Sequence, residues 1–252
     1  MERGDYASAE TLLGDAVKIC PQDLDARRQY AEALWQRGER ELAIEHVVKA
    51  LLQSPDDLQL AIRAGEMQLA MGRLDDARHM ADQVLDQNPA EPRAWTLRGR
   101  IFQSLGEPDR ALADYHRALE FRRDDRETLL ATAELYRTLN KPQRALATLT
   151  RLRESYGPLE EPQQVLYLQG LALAALGRND DAGDCFALAL ERGPPNTELL
   201  YRYAEAQLAT GRRIEADRTL EQALVLDPTH GPSRALRQHI DLAARPMDRF
   251  YP

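Results

Sequence analysis

Small and apolar positions recur along the chain with a fixed period. Alanine stands at Ala9, Ala43, Ala77, Ala111, Ala145, Ala182 and Ala216 without a single replacement. A second series, Ala31, Gly65, Gly99, Ala133, Gly170 and Ala204, is also small throughout. Helices approach closely only where side chains are small, so the two series predict the facing surfaces of paired helices. A third series marks the turn within each pair: Gly4, Gly38, Gly72 and Gly106 are 34 residues apart, and Asn140, Gly177 and Gly211 continue it. Glycine and asparagine tolerate the left-handed backbone that ends one helix before the next begins. The one longer interval, 37 residues from Asn140 to Gly177, predicts a three-residue insertion within 157–162. Prolines at 21, 55, 89, 194 and 228 supply stops, because proline cannot continue a helix interior.

A period of 34 residues built from two helices is a repeat architecture. With its small, small, proline pattern, the chain resembles the tetratricopeptide repeat (TPR) superfamily. The segment from Ala90 to Trp95, followed by Gly99, Phe102, Gly106, Ala111, Tyr115 and Ala118, carries the resemblance most fully. The chain departs from the pattern at Arg123 and Gly157, where proline is usual, and at Arg27, Arg98 and Gln169, where apolar residues are usual. The resemblance implies an all-α fold, a right-handed superhelical solenoid of helix-turn-helix repeats occupying 1–245 as one domain. The units fall at 24–57, 58–91, 92–125, 126–159, 163–196 and 197–230. A half repeat at 4–23 precedes them, a capping helix over 231–244 follows, and 246–252 is an irregular tail. A second helix without its first leaves Leu12, Leu13, Ala16 and Val17 short of one neighbour. The expectation is a natural chain that continues upstream or a partner that covers this end.

Composition narrows the function classes. Lys+Arg at 33 against Asp+Glu at 41 gives 33 − 41 = −8, which opposes non-specific attraction to nucleic acid or anionic lipid. Hydrophobic residues at 43% and charged residues at 29% permit a folded core, which argues against disorder. Cys20 and Cys185 form no CxxC pair and are expected as free thiols, with no disulfide framework or thiolate zinc site. No apolar run approaches the roughly 20 residues that span a bilayer, so direct membrane insertion is not expected. Met1 is followed by Glu2, Arg3 and Gly4 rather than by a signal peptide. Both a cytoplasmic chain and one exported after removal of an upstream segment fit.

The sequence lacks GxGxxG, GxxxxGK[ST], HExxH and GxSxG, so no enzyme activity and no cofactor are expected. His46, His79 and His116 fall on the second helices of different repeats, as surface or partly packed histidines rather than a metal site. Asp75-Asp76 and Asp124-Asp125 lie near turns and suit helix capping.

Family resemblance places function on the concave face lined by the first helices, at repeat positions 2, 5, 9, 12 and 13. Mapped here, the groove candidates are Arg28, Glu32 and Trp35, then Ile62, Glu66 and Leu69, then Arg93 and Arg100. The later repeats add Leu130, Glu134, Tyr167, Leu171, Tyr201 and Glu205. A glutamate row interrupted by aromatic and apolar residues suits a protein or peptide partner carrying basic and apolar side chains. Equally, Glu32, Glu66, Glu134 and Glu205 suit an ordinary solvated face in which Arg100 balances Glu66 and Glu134, and Trp35 suits packing against the adjoining repeat. The set Arg28, Glu32, Arg63, Arg93 and Leu97 departs from the family's carboxylate clamp for chaperone tails, and Glu32 would repel a carboxylate. The asparagine ladder of the O-linked N-acetylglucosamine transferases is missing too. The expected function is a non-enzymatic scaffold or adaptor that binds a protein segment in the groove. Two alternatives stand beside it, a docking or regulatory part of a longer enzyme or envelope-assembly protein, and self-association through the N-terminal end.

Overall fold

The computed structural model describes residues 3–157 and 159–244, with side chains described over 11–157 and 159–242. The expected tail at 246–252, and Pro158 within the insertion, lie outside the described residues, as does the side chain of Ala9. Every regular element among the described residues is helical. The chain divides into two compact units, Met1–Thr128 and Leu129–Pro252, with the division falling inside one helix.

The first unit holds α1 (Arg3–Ile19) and three helical hairpins. These are α2 (Leu24–Arg37) with α3 (Arg40–Gln53), α4 (Leu58–Ala70) with α5 (Leu74–Gln87), and α6 (Pro92–Ser104) with α7 (Pro108–Phe121). Helix α8 (Arg126–Thr138) contains the division. The second unit continues with α9 (Pro142–Glu154), α10 (Gln163–Ala175) and α11 (Asn179–Arg192). It ends with α12 (Thr197–Ala209), α13 (Arg213–Leu226) and α14 (Gly231–Ala244).

Local chemistry sets these boundaries. First helices begin at side-chain caps: Asp23 Oδ1 accepts from the Ala26 amide at 3.0 Å, Asp57 Oδ1 from Leu60 at 2.9 Å, and Asn196 Oδ1 from Leu199 at 2.9 Å. Their ends use a left-handed residue, Gly72 with φ 73° and Asn140 with φ 52°. The amide one residue further on reaches back to close the turn. Arg73 donates to the Gln68 carbonyl and Lys141 to the Tyr136 carbonyl, each at 2.9 Å.

The small-residue series lie at the helix contacts. Ala43, Ala77 and Ala111 in the first unit, and Ala182 and Ala216 in the second, have no exposed surface. The large core residues fill the space beside them, Leu34, Ile62, Met67, Ile101 and Tyr115 in the first unit and Leu149, Leu166, Phe186, Leu199 and Leu220 in the second. Two positions that the resemblance marks as unusual are buried polar groups. Arg27 is 6% exposed and donates from Nη2 to the Pro21 carbonyl at 2.6 Å. Gln169 is 8% exposed, and its Oε1 has no hydrogen-bond partner.

Candidate functional site

In the first unit, the first helices α2, α4 and α6 present a connected set of charged side chains. Arg63 donates from Nη2 and Nε to Glu32 Oε2 at 2.7 and 3.1 Å, and from Nη1 to Glu66 Oε2 at 3.3 Å. Arg93 donates to the other Glu66 oxygen at 2.8 Å and to Gln59 Oε1 at 2.7 Å. Arg28 reaches Asp57 Oδ2 at 3.3 Å, and Asp57 caps α4 with its second oxygen. The arginines stand between a third and a half exposed, so each pair contributes about 0.2–1 kcal/mol at most. What the lattice does is fix side-chain positions. It borders a cavity of about 420 Å³ whose apolar lining is Val47, Leu60 and Met67, with Arg28, Arg63 and Arg93 outnumbering Glu32 among its charged groups.

The glutamates therefore do not stand free in this unit. Arg100, expected to balance Glu66 and Glu134, donates instead to Glu127 Oε1 at 2.9 Å. Ile62 requires a correction: it is fully buried in the core with Leu34, Leu60 and Met67, so it is no part of an open face. An apolar side chain at that repeat position gains more from burial than from lining a wet groove. Trp35 is half-buried against the same core, with the guanidinium groups of Arg40 and Arg63 5.6 and 5.8 Å from its ring centroid. Leu69 is half-buried against Ala77, Ala81, Leu97 and Ile101.

The second unit has a separate cluster on α12. Tyr201 donates its hydroxyl to Glu205 Oε1 at 2.6 Å, and Arg202 bonds Glu198 at 2.8 Å and Glu205 at 2.9 Å. Burial, with the hydrogen bond to Glu205 behind it, pushes the Tyr201 phenol up to about 12. The His230 ring stands edge-on to Tyr201 at 5.6 Å. Glu134 accepts from Gln164 Nε2 at 3.0 Å. Tyr167 is half-buried with its ring 6.0 Å from Phe186, and Leu171 packs on the same cluster. Leu130 is half-buried as well.

Gln59 and Arg63 are residues that the groove positions passed over. Their signal is in the spacing, since Arg63 lies 31 residues after Glu32, one turn short of the 34-residue period, and Gln59 lies a full 34 residues before Arg93.

Among the described residues, no group of three or more His, Cys, Asp or Glu side chains could hold a metal ion. His46 is half-buried, edge-on to Tyr30 at 4.7 Å, and burial with the nearby Arg27 charge holds its pKa below the usual range. His79 and His116 are exposed. No described helix is long and apolar enough to cross a membrane.

Comparison with known proteins agrees with this architecture. Tetratricopeptide repeat models match residues 34–101, 1–57 with 130–197, 92–125 and 198–222. Cellulose synthase operon protein C of Komagataeibacter xylinus is 28% identical over 121 residues, 48% of this chain. The match spans 9% of that relative's length. The fold is similar to that of Pseudomonas aeruginosa pilF, with a TM-score of 0.74 at 15% identity over 86% of this chain and 97% of that one. It is also similar to YrrB, described as a TPR protein with an unusual peptide-binding site, with a TM-score of 0.66 at 19% identity over 76% of this chain and 97% of that one. With helical hairpins in the expected order and repeat models matching along both units, this chain is an all-α repeat solenoid that belongs to the tetratricopeptide repeat family.

Proposed function

We propose that the chain is a non-enzymatic interaction scaffold whose first unit binds a peptide segment against α2, α4 and α6. The observation that carries the reading is the cavity of about 420 Å³ bordered by Arg28, Glu32, Arg63 and Arg93 over Val47, Leu60 and Met67. Fixed charges around an apolar floor anchor one side chain and orient its neighbours. The expectation of a basic partner rests on free glutamates, and here Glu32 and Glu66 already accept from arginines. An apolar side chain flanked by an acidic one fits better, because it meets the exposed guanidinium edges without displacing a pair.

The test is selection of a random peptide library on the immobilised chain, repeated on Arg28→Glu with Arg93→Glu and, separately, on Glu66→Lys. Enrichment of acidic-apolar peptides that the arginine variant fails to hold supports the reading. Enrichment of basic-apolar peptides lost on Glu66→Lys restores the glutamates as the ligand-facing groups and overturns the charge preference.

A second reading is favoured by the 9% span of the cellulose synthase operon relative. In it the solenoid is the docking part of a longer protein whose activity lies elsewhere. Sequencing the natural reading frame upstream of Met1 decides it.

A further inference from the structure

Two equivalent places in the repeat pattern are filled in opposite ways. Counted in the 34-residue register with its three-residue insertion, Gln169 stands where Arg98 stands, Cys185 where Asp114 stands, and Thr150 where Asp82 stands. In the first unit, Arg98 fills its own place. Its Nε and Nη2 donate to the two Asp114 oxygens at 2.8 and 3.0 Å, and Nη1 donates to Asp82 Oδ1 at 2.9 Å. The same guanidinium lies 4.6 Å from the Trp95 ring centroid and 5.9 Å from that of Phe102.

In the second unit, leucines 166 and 173 take the places of Trp95 and Phe102, and the glutamine is shorter than the arginine. A cavity of about 310 Å³ is left there, between α9 and the α10–α11 hairpin. Its size is at the bottom of the roughly 300–1,000 Å³ range of ligand pockets, which suits one long side chain rather than an extended molecule.

We infer that this cavity receives an arginine side chain from a protein partner, which takes the place that Arg98 fills within the first unit. Leu146, Leu173 and Leu188 offer apolar wall to the arginine stem. Gln169 lines the cavity while 8% exposed, and its carbonyl oxygen accepts from no protein group, so it offers an acceptor to an incoming donor. The guanidinium is a flat fork of donors with no acceptor of its own, and it also suits the Asp184 carboxylate on the rim. The two arginines on the rim do not compete for an anion. Arg178 donates to Asp181 at 2.7 Å and Arg153 to Glu161 at 3.0 Å. Burial pushes the Cys185 thiol up, so the floor stays uncharged. The site is built from α9, α10 and α11 in the second unit, whereas the peptide face proposed above is on α2, α4 and α6 in the first, and neither proposal depends on the other.

The experiment is a ¹⁵N NMR titration of the full chain, read at the Gln169 side-chain amide and the backbone amides of 181–188. The probes are N-acetyl-arginine amide, its neutral isostere N-acetyl-citrulline amide, and N-acetyl-aspartate amide. The expected result is saturable shifts with the arginine probe alone, lost in Gln169→Arg, which fills the cavity from within, and weakened in Asp184→Ala. Maleimide labelling gives a second readout with exposed Cys20 as the internal reference. At a probe concentration about twice its Kd, mass action leaves about one third of the sites open, so Cys185 labelling should slow about threefold relative to Cys20. Equal shifts with citrulline, preference for aspartate, absence of shifts with arginine, or shifts that survive in a helical Gln169→Arg would each overturn the inference.

Discussion

Gly99 on α6 faces Tyr115 on α7 so closely that a Cβ added to the glycine would lie 2.5 Å from the ring carbon Cε1. Tyr115 has no exposed surface and donates its hydroxyl to Gln103 at 2.8 Å, one turn further along α6, so the ring is fixed in place against that helix. Alanine would gain about 1 kcal/mol of helix propensity over glycine, against about 1–3 kcal/mol for forcing an extra group into a packed core. Gly99→Ala is therefore expected to lower stability, by up to about 2 kcal/mol, measured by urea unfolding. Gly99→Ala combined with Tyr115→Leu should recover part of the loss, since the smaller side chain vacates the place that the new methyl needs. Greater stability of Gly99→Ala than of the parent would mean that the hairpin adjusts at no cost and only the helix-propensity gain remains.

Asp114 holds a half-buried arginine. Its side chain is 8% exposed, and both oxygens accept from Arg98, whose pKa is raised by Asp114 first and then by Asp82. Removing one partner of a buried pair costs more than removing both, because the other charge stays desolvated. Asp114→Asn is expected to destabilise the chain by about 2–3 kcal/mol, and Asp114→Leu with Arg98→Met by less. Thermal unfolding of the two variants side by side would reverse this account if the double change proved the more damaging.

The architecture was legible because a repeat writes the same constraint many times. Ala43, Ala77 and Ala111 announce one close helix contact three times over, and the left-handed turn is marked as plainly by Gly72 as by Gly106. The open face was less legible, since it is a matter of pairing between repeats. Glu66 and Glu134 look alike in the sequence, yet one meets Arg93 and the other Gln164. The pairing does follow a register: Glu66–Arg93 and Arg100–Glu127 each span 27 residues, and Glu134–Gln164 spans 30, which is 27 plus the three-residue insertion. Ile62 was misplaced because one position serves two purposes, holding exposed Arg28 in one repeat and a core isoleucine in the next.

Leu159 follows Pro158 in the insertion with φ 67°, a left-handed conformation in which its Cβ crowds the backbone. Its side chain is 74% exposed, so little packing offsets the strain. Leu159→Gly should raise stability by up to about 1 kcal/mol, the left-handed penalty less the greater freedom of glycine in the unfolded chain. Leu159→Ala keeps the Cβ and should show no such gain. Urea midpoints for the pair check it, and a gain with alanine as large as with glycine would mean that the exposed leucine side chain, not the backbone, is the source of strain.

Tyr201 makes stability depend on alkaline pH. Its phenol is pushed from 10.0 in the unfolded reference to about 12 in the folded chain, chiefly by burial and then by the hydrogen bond to Glu205. Between those values the unfolded chain gives up the phenolic proton before the folded chain does, so the unfolded state binds fewer protons and stability falls as pH rises. The contribution is whole below about pH 10 and is lost on the way to about pH 12. Arg202, with bonds to both Glu198 and Glu205, keeps two of the nearby carboxylates in place and so preserves the acceptor that holds the phenol protonated. Tyr201→Phe removes the titrating group, and its melting temperature should decline less steeply than the parent's across that window. Parallel declines would mean that other groups carry the alkaline loss and that Tyr201 ionises in the folded chain as freely as in the unfolded one.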